Sequence, residues 1–197
     1  SSLIVYYNED LFKRFGVPPP TDGMRWNELV FRAQQMTRDK NGLPVRGADP
    51  DLPQANTAQA EIYGLGVEPE IIRVAPFVWS NGSEIVDDTD NPTRFTLDTP
   101  EAKQAIESFF QLRPLHGVVP TDQEVEAEDD ESRFVNGRLA MLLDSRRAVP
   151  SLREAAKFDW DVASLPYFQE PANILHSDAY CMTEGSESKD AAWRFVE

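Results

Sequence analysis

The stretch Phe134 to Pro150 reads Phe-Val-Asn-Gly-Arg-Leu-Ala-Met-Leu-Leu-Asp-Ser-Arg-Arg-Ala-Val-Pro, and its polarity pattern organises the rest of the chain. Phe134 and Val135 close a helical pattern, and Asn136-Gly137 supplies the left-handed backbone that ends helices. Leu139 to Leu143 is an unbroken apolar run of strand length, as expected of a strand covered on both faces. Asp144-Ser145 is an N-cap signal, and Arg146-Arg147 stand where the next helix begins. Helix, buried strand, helix predicts an α/β unit with Arg146 and Arg147 at the carboxyl end of the strand, where open α/β sheets bind ligands.

Elsewhere the spacing alternates between strand and helix. Leu3 to Tyr7 predicts a strand, Asp10 to Phe15 a short helix stopped by Gly16, and Trp26, Leu29, Val30, Ala33 and Met36 the apolar stripe of a helix capped by Thr21 or Asp22. Residues 39–57, dense in Pro, Asp, Gly and Asn, predict a surface excursion. Ile62 to Val67 predicts a strand, Ile71 to Trp79 a helix, and Phe95 to Leu97 a short strand. Thr99-Pro100-Glu101 opens a helix that is expected to reach about His116 and to end at Gly117. The run Glu124 to Glu131 holds six acids in eight residues and predicts a solvated loop and helix start. A helix over about 149–156, strands over 158–165 and 173–182, and a last helix burying Ala191, Ala192, Phe195 and Val196 complete the pattern. No repeat is visible.

Composition narrows the function classes. The 197 residues are 41% hydrophobic, enough for one good-sized core. The formal net charge of −15 argues against nucleic acid and anionic membrane surfaces as partners. Cys181 is the single cysteine, so no internal disulfide forms. No apolar run approaches the ~20 residues of a membrane span. The chain begins inside a strand pattern and ends inside a helix pattern, which predicts a piece of a longer protein.

Candidate chemistry favours binding over catalysis. His116 and His176 lie far apart with no metal-ligand spacing, and there is no nucleophile elbow and no phosphate loop. Asp87, Asp88 and Asp90 lack the alternation of a calcium loop and predict a hairpin turn. No cofactor or metal is expected. A carbohydrate-active enzyme domain working through a carboxylate pair is the alternative, but no pair falls at a predicted strand end with an apolar surround. Carbohydrate sites combine planar polar groups with aromatic faces. Candidates at predicted element ends are Glu70 with Arg73, Trp79 with Asn81, Arg146 with Arg147, and Ser177-Asp178 with Tyr180.

A set of motifs in order carries a resemblance: Tyr6-Tyr7-Asn8-Glu9-Asp10-Leu11-Phe12, Trp26-Asn27-Glu28-Leu29, Trp79-Ser80-Asn81-Gly82, Thr96-Leu97-Asp98-Thr99-Pro100-Glu101-Ala102, Phe134 to Met141, and Lys189-Asp190-Ala191-Ala192-Trp193-Arg194-Phe195. Together they resemble the extracellular solute-binding proteins of bacterial ABC sugar transporters, the class that includes maltose-binding protein. The resemblance implies a three-layer α/β/α lobe of a type II periplasmic-binding clamshell. Residues 1–172 would be the carboxy-terminal lobe, and residues 173–197 a hinge crossing towards the other lobe. It implies a non-catalytic protein outside the cell or in the periplasm, lipid-anchored in full length, that binds a sugar and hands it to permease subunits. Glu70 and Arg73 match a lip that contacts sugar hydroxyls, and Arg147 falls where the family stacks a tryptophan on a sugar ring. That departure points towards an acidic or aminated sugar. With most of the other lobe missing, the tail is expected to fold back onto its own lobe or to pair with a second copy.

Overall fold

A computed structural model describes residues 2–45, 59–175 and 180–196. Its elements follow in order: β1 (Leu3–Asn8), α1 (Glu9–Phe15), α2 (Trp26–Met36), β2 (Tyr63–Gly66), α3 (Ile71–Ser80), α4 (Pro100–Phe110), α5 (Asp122–Ala127), α6 (Asp130–Val135), β3 (Leu139–Ser145), a 3-10 turn (Arg146–Ala148), α7 (Val149–Ala155), β4 (Trp160–Ala163) and α8 (Lys189–Val196). The strand order is β2-β3-β1-β4. β3 is therefore interior, parallel to β2 and antiparallel to β1, and β4 closes the far side antiparallel to β1.

Both faces of the sheet are covered, which is why β3 reads as a continuous apolar run. On one face Val5, Met141 and Leu143 pack with Leu29 and Ala33 of α2 and Phe77 of α3. On the other, Tyr6 and its cross-strand partner Leu142 pack with Phe134 of α6 and Leu152 of α7. The architecture is helix, sheet, helix. Trp26 ties the first layer together, with ring centroids 4.7 Å from Phe77 and 5.2 Å from Phe168. Each such pair adds about 0.5–1.5 kcal/mol beyond area burial.

Local signals account for most helix ends. The Asn8 side chain caps α1 and Gly16, at φ 66°, stops it. Thr99 caps α4 by accepting the Ala102 N–H, with Pro100 in the first turn. The hairpin expected around Asp87 is present: Val86 bridges Phe95, and Asp87 accepts the Thr93 N–H at 2.9 Å and the Thr93 hydroxyl.

Several expectations need correction. The N-cap of α2 is Arg25 instead of Thr21 or Asp22; its side chain makes no cap bond, and Glu28 reaches back to accept the Arg25 N–H at 2.7 Å. α4 ends at Phe110 because the chain passes into turns over 111–116, well before Gly117. Phe95 forms only an isolated bridge. The acidic run is not all solvated. It folds as α5 and α6, and Asp130 is buried with Arg133 and Phe134 on one helical face.

The largest departure is the tail. The described parts of 173–182 form no strand, and without a pairing partner an extended segment makes no ladder. α8 forms where the spacing predicts, but of the four residues expected to be buried Ala191 is exposed, Ala192 is half-buried and Phe195 is 83% exposed, while the Val196 side chain lies outside the description. At the start of the tail Ile174 packs against the core. The centre of the predicted surface excursion, residues 46–58, lies outside the described residues.

Candidate functional site

Because β2 and β3 run parallel, their carboxyl ends, Gly66 and Ser145, share one edge of the sheet, and antiparallel β1 begins there at Leu3. The segment Val67 to Glu70 carries the chain from β2 into α3, whose first turn presents Arg73. The Arg73 side chain is only 9% exposed. Its Nη2 lies 2.5 Å from Asp144 Oδ1 at the end of β3 and 3.4 Å from Glu68 Oε2. Its Nε is buried and has no hydrogen-bond partner among the described residues. A buried N–H donor without an acceptor costs about 1–3 kcal/mol.

Glu70 stands beside this group as the N-cap residue of α3. Its side chain makes no cap bond, and the residue is exposed, so its carboxylate points nowhere within the helix end. Arg146 and Arg147 follow β3 directly and are both exposed. Ser145 orients them: its Oγ accepts the Arg147 N–H at 3.3 Å, as the cap of the 3-10 turn. Tyr6 fixes the same corner from below by donating its hydroxyl proton to the Ser145 carbonyl at 2.8 Å, and burial raises that phenol further above its ordinary range.

The structure thus brings Arg73, Glu70, Arg146 and Arg147 to the strand-end edge. It places the other candidates differently. Asn81 caps the opposite end of α3, about 15 Å of helix away. It is 3% exposed, and its amide donates to the Glu101 carbonyl at 2.8 Å and to Gln104 Oε1 at 3.0 Å, which joins α3 to α4. Trp79 is half-buried on the last turn of α3. Tyr180 is 82% exposed and lies outside any helix or strand. Ser177 and Asp178 lie outside the described residues, as does His176.

Sequence reasoning passes over several groups at this edge. Asp144 and Glu68 are the anions that hold Arg73. Asn173 clamps the start of β1, accepting the Leu3 N–H at 3.0 Å and donating to the Leu3 carbonyl at 2.8 Å. Leu3 and Asn173 therefore lie side by side. Asp130, at the start of α6, lies under the end of β2: a Cβ on Gly66 would come within 2.9 Å of the Asp130 carboxyl carbon and would have to displace that side chain. Burial pushes the Asp130 carboxyl up to about 6, against the opposing pull of Arg133, while Glu68 and Asp129 add to the rise. Its spacing to Arg133 and Phe134, three and four residues, was the available signal of a buried face. Among the described residues no group of three or more His, Cys, Asp or Glu converges to hold a metal ion.

A family model described as bacterial extracellular solute-binding protein matches residues 1–197. The chain belongs to that family. A putative binding protein of Brucella abortus is 22% identical over 204 residues, covering 100% of this chain and 44% of the relative. The chain therefore spans about half the length of the curated relatives it matches. An ABC substrate-binding protein of Listeria monocytogenes, solved with cycloalternan, superposes with a TM-score of 0.76 at 21% identity, over 99% of this chain and 45% of that one. A solute-binding protein of Thermotoga lettingae bound to α-D-tagatose gives 0.76 at 22% identity, over 99% and 46%. These likenesses agree with the α/β lobe expected of a type II binding-protein clamshell.

Proposed function

We propose that this chain supplies one lobe of the substrate-binding component of an ABC carbohydrate transporter. It binds a sugar at the carboxyl ends of β2 and β3 and delivers it to permease subunits in the membrane. The observation that carries the reading is the Arg73 guanidinium, held by Asp144 and Glu68 at the carboxyl ends of β2 and β3 beside the exposed Glu70. Such a pre-oriented donor suits a sugar hydroxyl or other ligand oxygen, with Glu70 as a nearby acceptor. Similar solved proteins carry sugars, cycloalternan in one and α-D-tagatose in another.

In this reading residues 1–172 form the lobe, and residues 173–197 cross towards a second one. The Asn173 clamp on Leu3 supports it, since it sets the entering and leaving segments together, as a hinge requires. The exposed apolar groups of α8 would then belong against the other lobe. Nothing supports a paired second copy, and the proposal includes none. Ser177, Asp178 and Tyr180 would reach the ligand only from the crossing segment. The protein would act outside the cell or in the periplasm, held by a lipid anchor, and without catalysis. An enzyme using a carboxylate pair is disfavoured because Asp130, the one carboxyl described here that is raised towards neutral, is buried beneath Gly66 and Val67.

A thermal-shift screen of the full-length protein against a carbohydrate library tests the reading. A ligand at 100 times its Kd adds about 2.7 kcal/mol of stability, and the ligand should be recovered unchanged after long incubation. No stabilisation by any carbohydrate, or turnover of the ligand, would refute it.

A further inference from the structure

Beyond the strand-end edge, Arg146, Arg147, Val149, Pro150 and Arg153 line an open hollow of about 550 Å³. The spacing explains the grouping: residues 146, 149, 150 and 153 fall one helical turn apart, along one face of the 3-10 turn and α7. The hollow therefore gathers three guanidinium groups, and no carboxylate lines it among the described residues. That is unusual in a chain of formal net charge −15. Other arginines have partners that hold them: Arg73 pairs with Asp144, Arg113 with Asp122, and Arg133 and Arg138 with Glu128, while Arg25 and Arg32 donate to the carbonyls of Phe168 and Pro18. Arg146 and Arg153 take part in no ion pair among the described residues, and both are exposed. Like charges on one face repel each other, and an anion placed between them reverses the sign of that interaction.

A neutral sugar would use these groups only as donors. A carboxylate or phosphate presents two or more oxygens at the spacing of the guanidinium fork and accepts bidentate, charge-assisted bonds. Val149 and Pro150, lying between the arginines, offer an apolar floor for the carbon skeleton that carries the charge. The edge then divides its work, with Glu70 and Arg73 facing hydroxyls and the arginine hollow facing a negative substituent. Building on the transport reading above, we infer that the ligand is an anionic carbohydrate, a sugar carrying a carboxylate or a phosphate ester, whose charged group sits between Arg146 and Arg153. Arg153 is the residue this adds to the site.

Calorimetric titration of the full-length protein with matched pairs tests the inference: galacturonate and its short oligomers against galactose and its oligomers, and glucose 6-phosphate against glucose, each at low and high salt. The anionic member of at least one pair should bind about tenfold tighter or more, the scale of one charge-assisted hydrogen bond. The advantage should shrink as salt is raised and vanish in the double variant Arg146→Gln with Arg153→Gln, whose circular dichroism should match the parent. Preference for the uronate identifies a carboxylate ligand, and preference for the phosphate an ester. Neutral sugars binding as tightly as their anionic partners, or a preference that survives the double variant, would overturn the inference while leaving sugar binding intact. Binding of neither class would overturn the inference and the transport reading together.

Discussion

The buried carboxyl of Asp130 makes a quantitative prediction about the edge it supports. Burial raises it from 3.8 to about 6, while an unfolded chain leaves it near the ordinary value. The folded state therefore holds this proton more tightly than the unfolded state does. Between pH 4 and 6 the folded state binds more protons, so stability falls as pH rises through that window, and the penalty is complete above it. A rise of about two units corresponds to roughly 3 kcal/mol at pH 7. Asp130→Asn removes the ionisation and keeps an oxygen for the Val67 N–H. Its new NH2 enters a buried position where Asp130 Oδ1 now has no partner among the described residues. That carries its own cost of about 1–3 kcal/mol, independent of pH. The quantity to read is therefore the difference between the variant's effects at pH 7 and pH 4, where the constant cost cancels. Urea unfolding at both values should show the variant gaining roughly 3 kcal/mol relative to the parent on going from pH 4 to pH 7. Parallel pH profiles, or a relative loss for the variant, would show that Asp130 is ionised without penalty.

Three further outcomes follow from particular contacts. Arg73→Met leaves Asp144 and Glu68 without their cation; because breaking a buried pair typically costs 3–5 kcal/mol, urea unfolding should show a loss of that order, and one below ~1 kcal/mol would mean the pair is solvated. Thr99→Ala removes the α4 cap and should cost about 1 kcal/mol in the same assay with ligand affinity unchanged, whereas an effect on affinity would mean that α4 couples to the strand-end edge. Gly66→Ala puts a Cβ 2.5 Å from Leu139 Cδ1 and 2.9 Å from the Asp130 carboxyl carbon, so it should destabilise the fold by about 1–3 kcal/mol, and a neutral result would show slack between β2 and α6.

Much of the fold was legible because its signals are local. The run Leu139 to Leu143 announces an interior strand, and Thr99-Pro100 or Gly16 announces a helix end, each from a few adjacent residues. The tail was misread for the complementary reason. Hydrophobic spacing in α8 predicts a helix correctly but cannot say which surface it meets, and here Phe195 is 83% exposed. The site was half legible. Arg146, Arg147, Glu70 and Arg73 were visible from their places at element ends, whereas Asp144, Glu68 and Asn173 matter only through pairing across long sequence distances. Asp130 was hidden by its company, since a run of six acids looks solvated although its helical face turns one of them inward. Asn81 shows the opposite error: an amide at an element end whose side chain packs between two helices.

The claim that the carboxyl ends of β2 and β3 bind carbohydrate is tested most directly by titrating Arg73→Ala and its parent with a carbohydrate that stabilises the full-length protein. The variant should lose at least tenfold in affinity, as for a lost charge-assisted hydrogen bond, with circular dichroism showing that the fold is kept. Equal affinity in a folded variant would place the ligand elsewhere and contradict the account.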